Sequence, residues 1–151
     1  MKPARRLLAL LIATALAATP ALAEDWAGTV KAVDGTVTLE RDGKTLPVAV
    51  GDKVMPKDKL TTAKDSRVAV TLRDDTLIST GPRSQMAVAE FAFDPATQSG
   101  SVVVSVLRGV TAMVSGLVAK ANASAMRVTT PTATIGIRGT EFVVEVETTG
   151  E

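Results

Sequence analysis

The chain has 151 residues, its 17 Lys and Arg against 16 Asp and Glu give a formal charge of +1, and it contains no Cys, His or Tyr. That length holds one domain. The composition excludes disulfides, Cys or His metal sites and every catalytic dyad or triad that uses an imidazole or thiolate. Aromatic residues at 3% are too few for a base-stacking surface.

The first 23 residues read as a secretory signal peptide rather than as fold. Lys2, Arg5 and Arg6 form a positive start, residues 7–18 are almost purely apolar, and Ala21-Leu22-Ala23 forms a cleavage motif before Glu24. The alternative, an uncleaved anchor, fits less well. The uncharged run of residues 7–23 has 17 residues and contains Pro20, whereas a spanning helix wants about 20 apolar residues. Without cysteine there is no residue for a lipid anchor. Cleavage removes three positive charges and no negative ones, leaving 128 residues with 14 basic and 16 acidic side chains, a net charge of −2. A nucleic-acid partner loses its electrostatic basis. No membrane span is expected after cleavage, since the longest later uncharged run, residues 95–107, has 13 residues.

After a short segment at 24–27, the chain reads as short strands. Val37 and Leu39 alternate with Thr36, Thr38 and Glu40, Val68, Val70 and Leu72 with Arg67, Thr71 and Arg73, and Phe142, Val144 and Val146 with Glu145 and Glu147, Val143 being the exception. Val and Thr dominate, and their β-branching suits strands. Turn signals such as Asp34-Gly35, Asp42-Gly43, Asp65-Ser66, Gly81-Pro82 and Asp94-Pro95 recur every eight to twelve residues. The expected fold is therefore all-β, a single antiparallel sandwich or barrel-like domain. Residues 29–33 and 36–41 are expected to pair as a hairpin around Asp34-Gly35, and 36–41 with 45–50 around Asp42-Gly43-Lys44. Residues 102–107 are apolar on both faces, which marks a central strand. For 113–125, Gly116, Asn122 and two serines favour a strand and loop over a short helix. The strand at 142–147 must pair within the sheet or lie at an edge, and 148–151 form a tail.

Catalytic candidates are few. Asp74-Asp75 reads as a turn, and adjacent strand residues would face opposite ways in any case. Asp58 is a further isolated carboxylate. Asp34, Asp42 and Asp52 lack the spacing of a calcium loop. No G-x-S-x-G is present, and neither Ser66 with Lys64 nor Ser115 with Lys120 has the spacing of a Ser–Lys dyad. Gly136-Ile137-Arg138-Gly139-Thr140 is not a phosphate loop. Its arginine is expected to be buried, its fork clamping backbone carbonyls or a carboxylate, and Gly139 to allow a backbone shape that a Cβ would hinder.

The segment from Val128 to Phe142, with Thr130-Pro131, Ala133 and Arg138-Gly139-Thr140-x-Phe142, resembles the T-P-x-A-x-x-x-x-R-G-T-x-F signature of FecR-domain proteins. The order of the remaining features is similar too. Gly28-Thr29-Val30 with Gly35-Thr36-Val37 resembles the family's opening hairpin. Leu46 followed by Gly51-Asp52-Lys53-Val54 resembles its L-x-x-G-D step. Leu60-Thr61-Thr62 with the run from Asp65 to Leu72, then Asp75-Thr76 and Leu107-Arg108-Gly109, resemble its later strands. The resemblance covers 28–147. It implies an all-β extracytoplasmic domain whose best-known relatives relay iron-siderophore status from an outer-membrane transporter to a sigma factor. It also implies that Thr130, Pro131, Ala133, Arg138, Gly139, Thr140, Phe142, Gly51 and Asp52 are motif residues with structural roles. A cleavable signal stands where those regulators have a cytoplasmic segment and membrane helix. The family pattern continues past R-G-T-x-F into one more hairpin.

The expectation is a non-enzymatic periplasmic or secreted module. It needs no metal or cofactor and engages another envelope protein, for interaction or signal sensing. The alternative is a structural or surface-associated β domain, adhesin-like or glycan-binding, for which exposed rings among Trp26, Phe91, Phe93 and Phe142 would speak.

Overall fold

A computed structural model describes residues 26–148. The signal-peptide reading of 1–23 and most of the 148–151 tail lie outside the described residues. The β-branched alternation yields twelve strands: β1 (Gly28–Asp34), β2 (Val37–Arg41), β3 (Lys44–Pro47), β4 (Lys53–Val54), β5 (Lys59–Thr62), β6 (Arg67–Leu72), β7 (Leu77–Thr80), β8 (Gln85–Asp94), β9 (Ser99–Val114), β10 (Met126–Thr129), β11 (Thr134–Gly136) and β12 (Glu141–Val146). One short helix, α1 (Leu117–Ala121), and a 3-10 turn at Ala123–Ala125 join β9 to β10. No helix among the described residues is long and apolar enough to cross a membrane.

The strands form a curled sheet in the order β3-β2-β5-β8-β9-β7-β6-β1-β4, with β10 and β12 also alongside β9 and β11 beyond β10. The expected central strand is β9, and its 16 residues serve both limbs of the curl. Its first part pairs with β8 (Asp94↔Ser99 to Gln85↔Arg108), and its last part with β7 (Thr80↔Thr111 to Leu77↔Val114). The limb changes at Gly109, whose φ is +79°. A Cβ there would collide with the Ser84 hydroxyl. Buried Ser84 Oγ instead accepts from Val110 N at 3.0 Å and donates to Pro82 O at 2.8 Å, and Ser84 N donates to Thr62 Oγ1 at 2.9 Å. The close approach of two backbones is thus satisfied by hydroxyls where ladder bonds stop.

Between the limbs lies one core. Val30, Val70, Ile78 and Met113 meet Leu60, Met86, Val88, Val104, Met126 and Val128 there. Two bulges keep apolar residues inside as the sheet curls. In β1 the register shifts between Val30 and Ala32, so Val30 and Val33 both pack inward. In β8 it shifts between Val88 and Glu90, so Met86 and Val88 are followed by Phe91 and Phe93. Each extra residue inverts the period-two phase.

The two expected hairpins part company. Around Asp42 (φ 51°) and Gly43 (φ 74°) the strands β2 and β3 do pair, from Arg41↔Lys44 to Thr38↔Pro47, across a two-residue type I′ turn. Around Asp34-Gly35 they do not. The partners of β1 are β4 and β6, and those of β2 are β3 and β5. Gly35 (φ 75°) is a corner that carries the chain from one limb to the other. Thr36 N donates to buried Ser66 Oγ at 2.8 Å, in the space a Gly35 Cβ would need. The dipeptide predicts the turn correctly, but the long-range partner of each strand decides where it leads.

The stretch 113–125 also differs from expectation. Strand β9 runs to Val114, and then a helix forms. The reason is β10, which lies parallel to β9 from Met126↔Val102 to Thr129↔Ser105. Parallel neighbours need a crossover, not a tight turn. Asp74, from the β6–β7 turn, starts that helix. Its carbonyl accepts from Leu117 N at 2.6 Å and its Oδ2 from Val118 N at 3.4 Å.

Candidate functional site

The signature begins as a tight connection. Thr130 N donates to Ala133 O at 2.8 Å, and Ala133 N donates back to Thr130 Oγ1 at 3.0 Å. Pro131 and Thr132 sit in between, where a fixed φ suits a turn. This closes the β10–β11 hairpin, from Thr129↔Thr134 to Arg127↔Gly136. Ile137 then enters the core at 6% exposure. Gly139 follows at φ +128°, a region that L side chains rarely adopt. The half-buried Phe142 ring packs against the core from β12, beside buried Val144, while Val143 points outward at 64% exposure. Strand β12 pairs with β9 from Glu141↔Val114 to Val146↔Gly109 and is the edge of its limb among the described residues.

Arg138 is not buried. It is exposed, and among the described residues its guanidinium makes no hydrogen bond or ion pair. The clamp on this segment is Ser115, buried on the strand side of α1. Ser115 Oγ donates to Gly139 O at 3.0 Å, and Ser115 N donates to Thr140 O at 2.7 Å. A serine achieves this because its hydroxyl and amide reach two successive carbonyls. A long arginine would have to leave the water it prefers. In the sequence Ser115 offered only a failed dyad spacing. Its value depends on a contact 24 residues away.

Gly51 and Asp52 lie elsewhere. Gly51 (φ 95°) donates its N–H to Val30 O at 2.8 Å, and Val30 N donates to Asp52 O at 2.9 Å. The Asp52 carboxylate accepts from Ala49 N at 2.8 Å. This turn latches onto β1, with β6, β7 and β9 between it and β12. The structure does not bring it together with the signature.

The carboxylates weighed for catalysis are occupied. Asp58, 1% exposed, accepts from Arg41 Nε at 2.8 Å, from Arg41 Nη2 at 2.5 Å and from Met55 N at 2.7 Å. The hydrogen bond to Asp58 holds the Arg41 guanidinium above its ordinary pKa. Asp74, also buried, accepts from Thr76 N at 3.2 Å and Thr76 Oγ1 at 2.9 Å in addition to capping α1. Asp74 and Asp75 do lie in a turn, as expected. Among the described residues no three His, Cys, Asp or Glu side chains gather as a metal site.

Two hollows remain. One, of about 400 Å³, is lined by Trp26, Lys31, Arg73, Asp75 and Phe93 among others. The Trp26 ring there lies under Lys53 Nζ at 3.8 Å and within 5.4 Å of the Arg73 guanidinium. The other, of about 420 Å³, is lined by Asn122, Ala123, Ser124, Gly136, Ile137 and Arg138.

No curated protein sequence and no solved structure matches the chain. A family model does match: that of FecR protein, over residues 58–151. The span runs from Asp58 through the whole signature. The segment 28–57, with Gly51-Asp52, precedes it. With well over half of its residues inside that match, the chain belongs to the FecR family, which is associated with signalling in the cell envelope.

Proposed function

We propose that residues 28–147, released from the 1–23 signal, form a non-enzymatic module of the periplasm or cell exterior that acts by binding another envelope protein. The observation that carries this is how the signature is held. Backbone contacts to Ser115 and Thr130 fix it, while Ile135, Arg138 and Val143 stay exposed. A rigid hairpin with a sheet edge beside it suits strand addition by a partner. Motif residues Thr130, Pro131, Ala133, Gly139, Thr140 and Phe142 shape the surface in this reading, and Gly51 and Asp52 support β1 away from it. The absence of cysteine leaves no residue for a lipid anchor.

The test is site-specific photo-crosslinking in the native envelope. A photoreactive residue at Val143 is expected to capture a discrete protein. One at Val50, also 64% exposed but on another part of the surface, serves as control. Equal capture from both positions, or none from Val143, refutes the reading.

A second reading is a glycan-binding or adhesin-like surface, favoured by the hollow of Trp26 and Phe93. Sugars stack on open ring faces. Lys53 already lies over the Trp26 ring, which places this reading second.

A further inference from the structure

From Ala96 to Thr140 the chain carries Arg108, Lys120, Arg127 and Arg138 and not one Asp or Glu. The rest of the chain after the signal then holds ten basic and sixteen acidic side chains, a balance of −6. Charge is thus segregated, and none of these four cations is ion-paired among the described residues, where both ion pairs lie between residues 40 and 59. One of the cations lines the hollow between the 3-10 turn and β11, and a second lies on a strand beside it. Arg138 lines it, and Arg127 sits directly across the ladder from Gly136, which also lines it. The space is open, since a Cβ on Gly136 would meet nothing within 4 Å. Asn122 adds donors: its Oδ1 is taken by Ser124 N at 3.1 Å and Ser124 Oγ at 2.7 Å, so its NH₂ is the end left for a ligand. The hollow therefore offers positive charge and hydrogen-bond donors, and no carboxylate.

We infer that this hollow is the docking point for an acidic segment, rich in Asp or Glu, of the protein partner, a refinement that rests on the function proposed above. Complementary charge sets encounter rate and register at such interfaces, and a guanidinium takes a carboxylate through two parallel bonds. A concave site of about 420 Å³ receives side chains singly. A flat anionic membrane would not reach into it.

The experiment measures binding of fluorescein-labelled decaglutamate by anisotropy at low salt. The wild-type chain is expected to bind. Arg127→Ser/Arg138→Ser should weaken binding at least about tenfold, and Lys44→Ser/Lys64→Ser, two exposed cations elsewhere, by less than about twofold. Gly136→Val keeps every charge but fills the hollow, and it should also weaken binding while thermal unfolding stays close to wild type. Equal losses from the two double variants, an unaffected Gly136→Val, or tighter binding to phosphatidylglycerol vesicles or single-stranded DNA than to decaglutamate would each overturn the inference. If the Val143 crosslink persists in Arg127→Ser/Arg138→Ser, the inference falls and the proposed function stands. If decaglutamate binds at the hollow but Val143 captures nothing, the proposed function falls and the inference falls with it.

Discussion

Arg41 and Asp58 form an ion pair with unequal exposure, and the inequality predicts which partner matters more. The Asp58 side chain is 1% exposed and that of Arg41 is 36%. In Arg41→Met the carboxylate stays buried with Met55 N as its remaining partner. Stranding a buried ion costs about 3–5 kcal/mol, and the low end, about 3, fits a site at the edge of the core. In Asp58→Ala the guanidinium keeps its bond to Lys53 O at 3.0 Å and turns its free face to water. The loss is then two charged hydrogen bonds, partly replaced by solvent, and one orphaned N–H, about 2 kcal/mol in all. The double variant removes both ions and should cost about 3 kcal/mol, short of the sum by about 2, which is the coupling. At about 4 °C per kcal/mol for a domain of this size, the single variants should melt about 12 and 8 °C below wild type. Urea unfolding followed by Trp26, the only tryptophan, gives the free energies directly. If Asp58→Ala costs as much as Arg41→Met, or if the two costs simply add, burial does not govern this pair and the reasoning fails.

Three further outcomes are expected. Gly139→Ala should cost about 1–2 kcal/mol through its backbone alone, because its Cβ has open space. Gly109→Ala should cost clearly more, because its Cβ runs into Ser84, and thermal unfolding ranks the two. Asp74→Ala should destabilise by about 2 kcal/mol and speed amide exchange at Val118, while Leu117 keeps its bond to the backbone carbonyl; unchanged exchange at Val118 would show that the Asp74 carboxylate does not hold α1. Arg138→Lys should shift stability by no more than about 0.5 kcal/mol, since the guanidinium has no partner among the described residues, and a large drop in melting temperature would restore the clamp expected from its glycine neighbours.

Much of the fold was legible because strand periodicity is local. Val68, Val70 and Leu72 alternate with Arg67, Thr71 and Arg73 and do face inward, and Asp42-Gly43 does close a hairpin. The phase breaks in β1 and β8 were not legible, since a bulge reveals itself only against its partner strand. The signature was legible as a pattern, and its turn at Thr130–Ala133 follows from local hydrogen bonding. The role of Arg138 was misjudged because apolar neighbours in sequence do not settle which way a side chain leaves the backbone next to a glycine.

The sequence by itself determined the all-β class, the exclusion of thiol and imidazole chemistry, the resemblance to FecR-domain proteins and the acid-free stretch from Ala96 to Thr140. Each is a property of composition or of neighbours along the chain. Tertiary structure alone decided that Asp34-Gly35 turns a corner, that β10 lies parallel to β9 across a helix, and that Ser115 rather than Arg138 secures the signature. In each case the deciding partner is distant in sequence: Ser66 is 30 residues from Thr36, and Asp74 is 44 from Val118. A hydrogen bond stabilises a shape only where its two ends meet, and which ends meet is a matter of chain topology that short-range pattern does not carry.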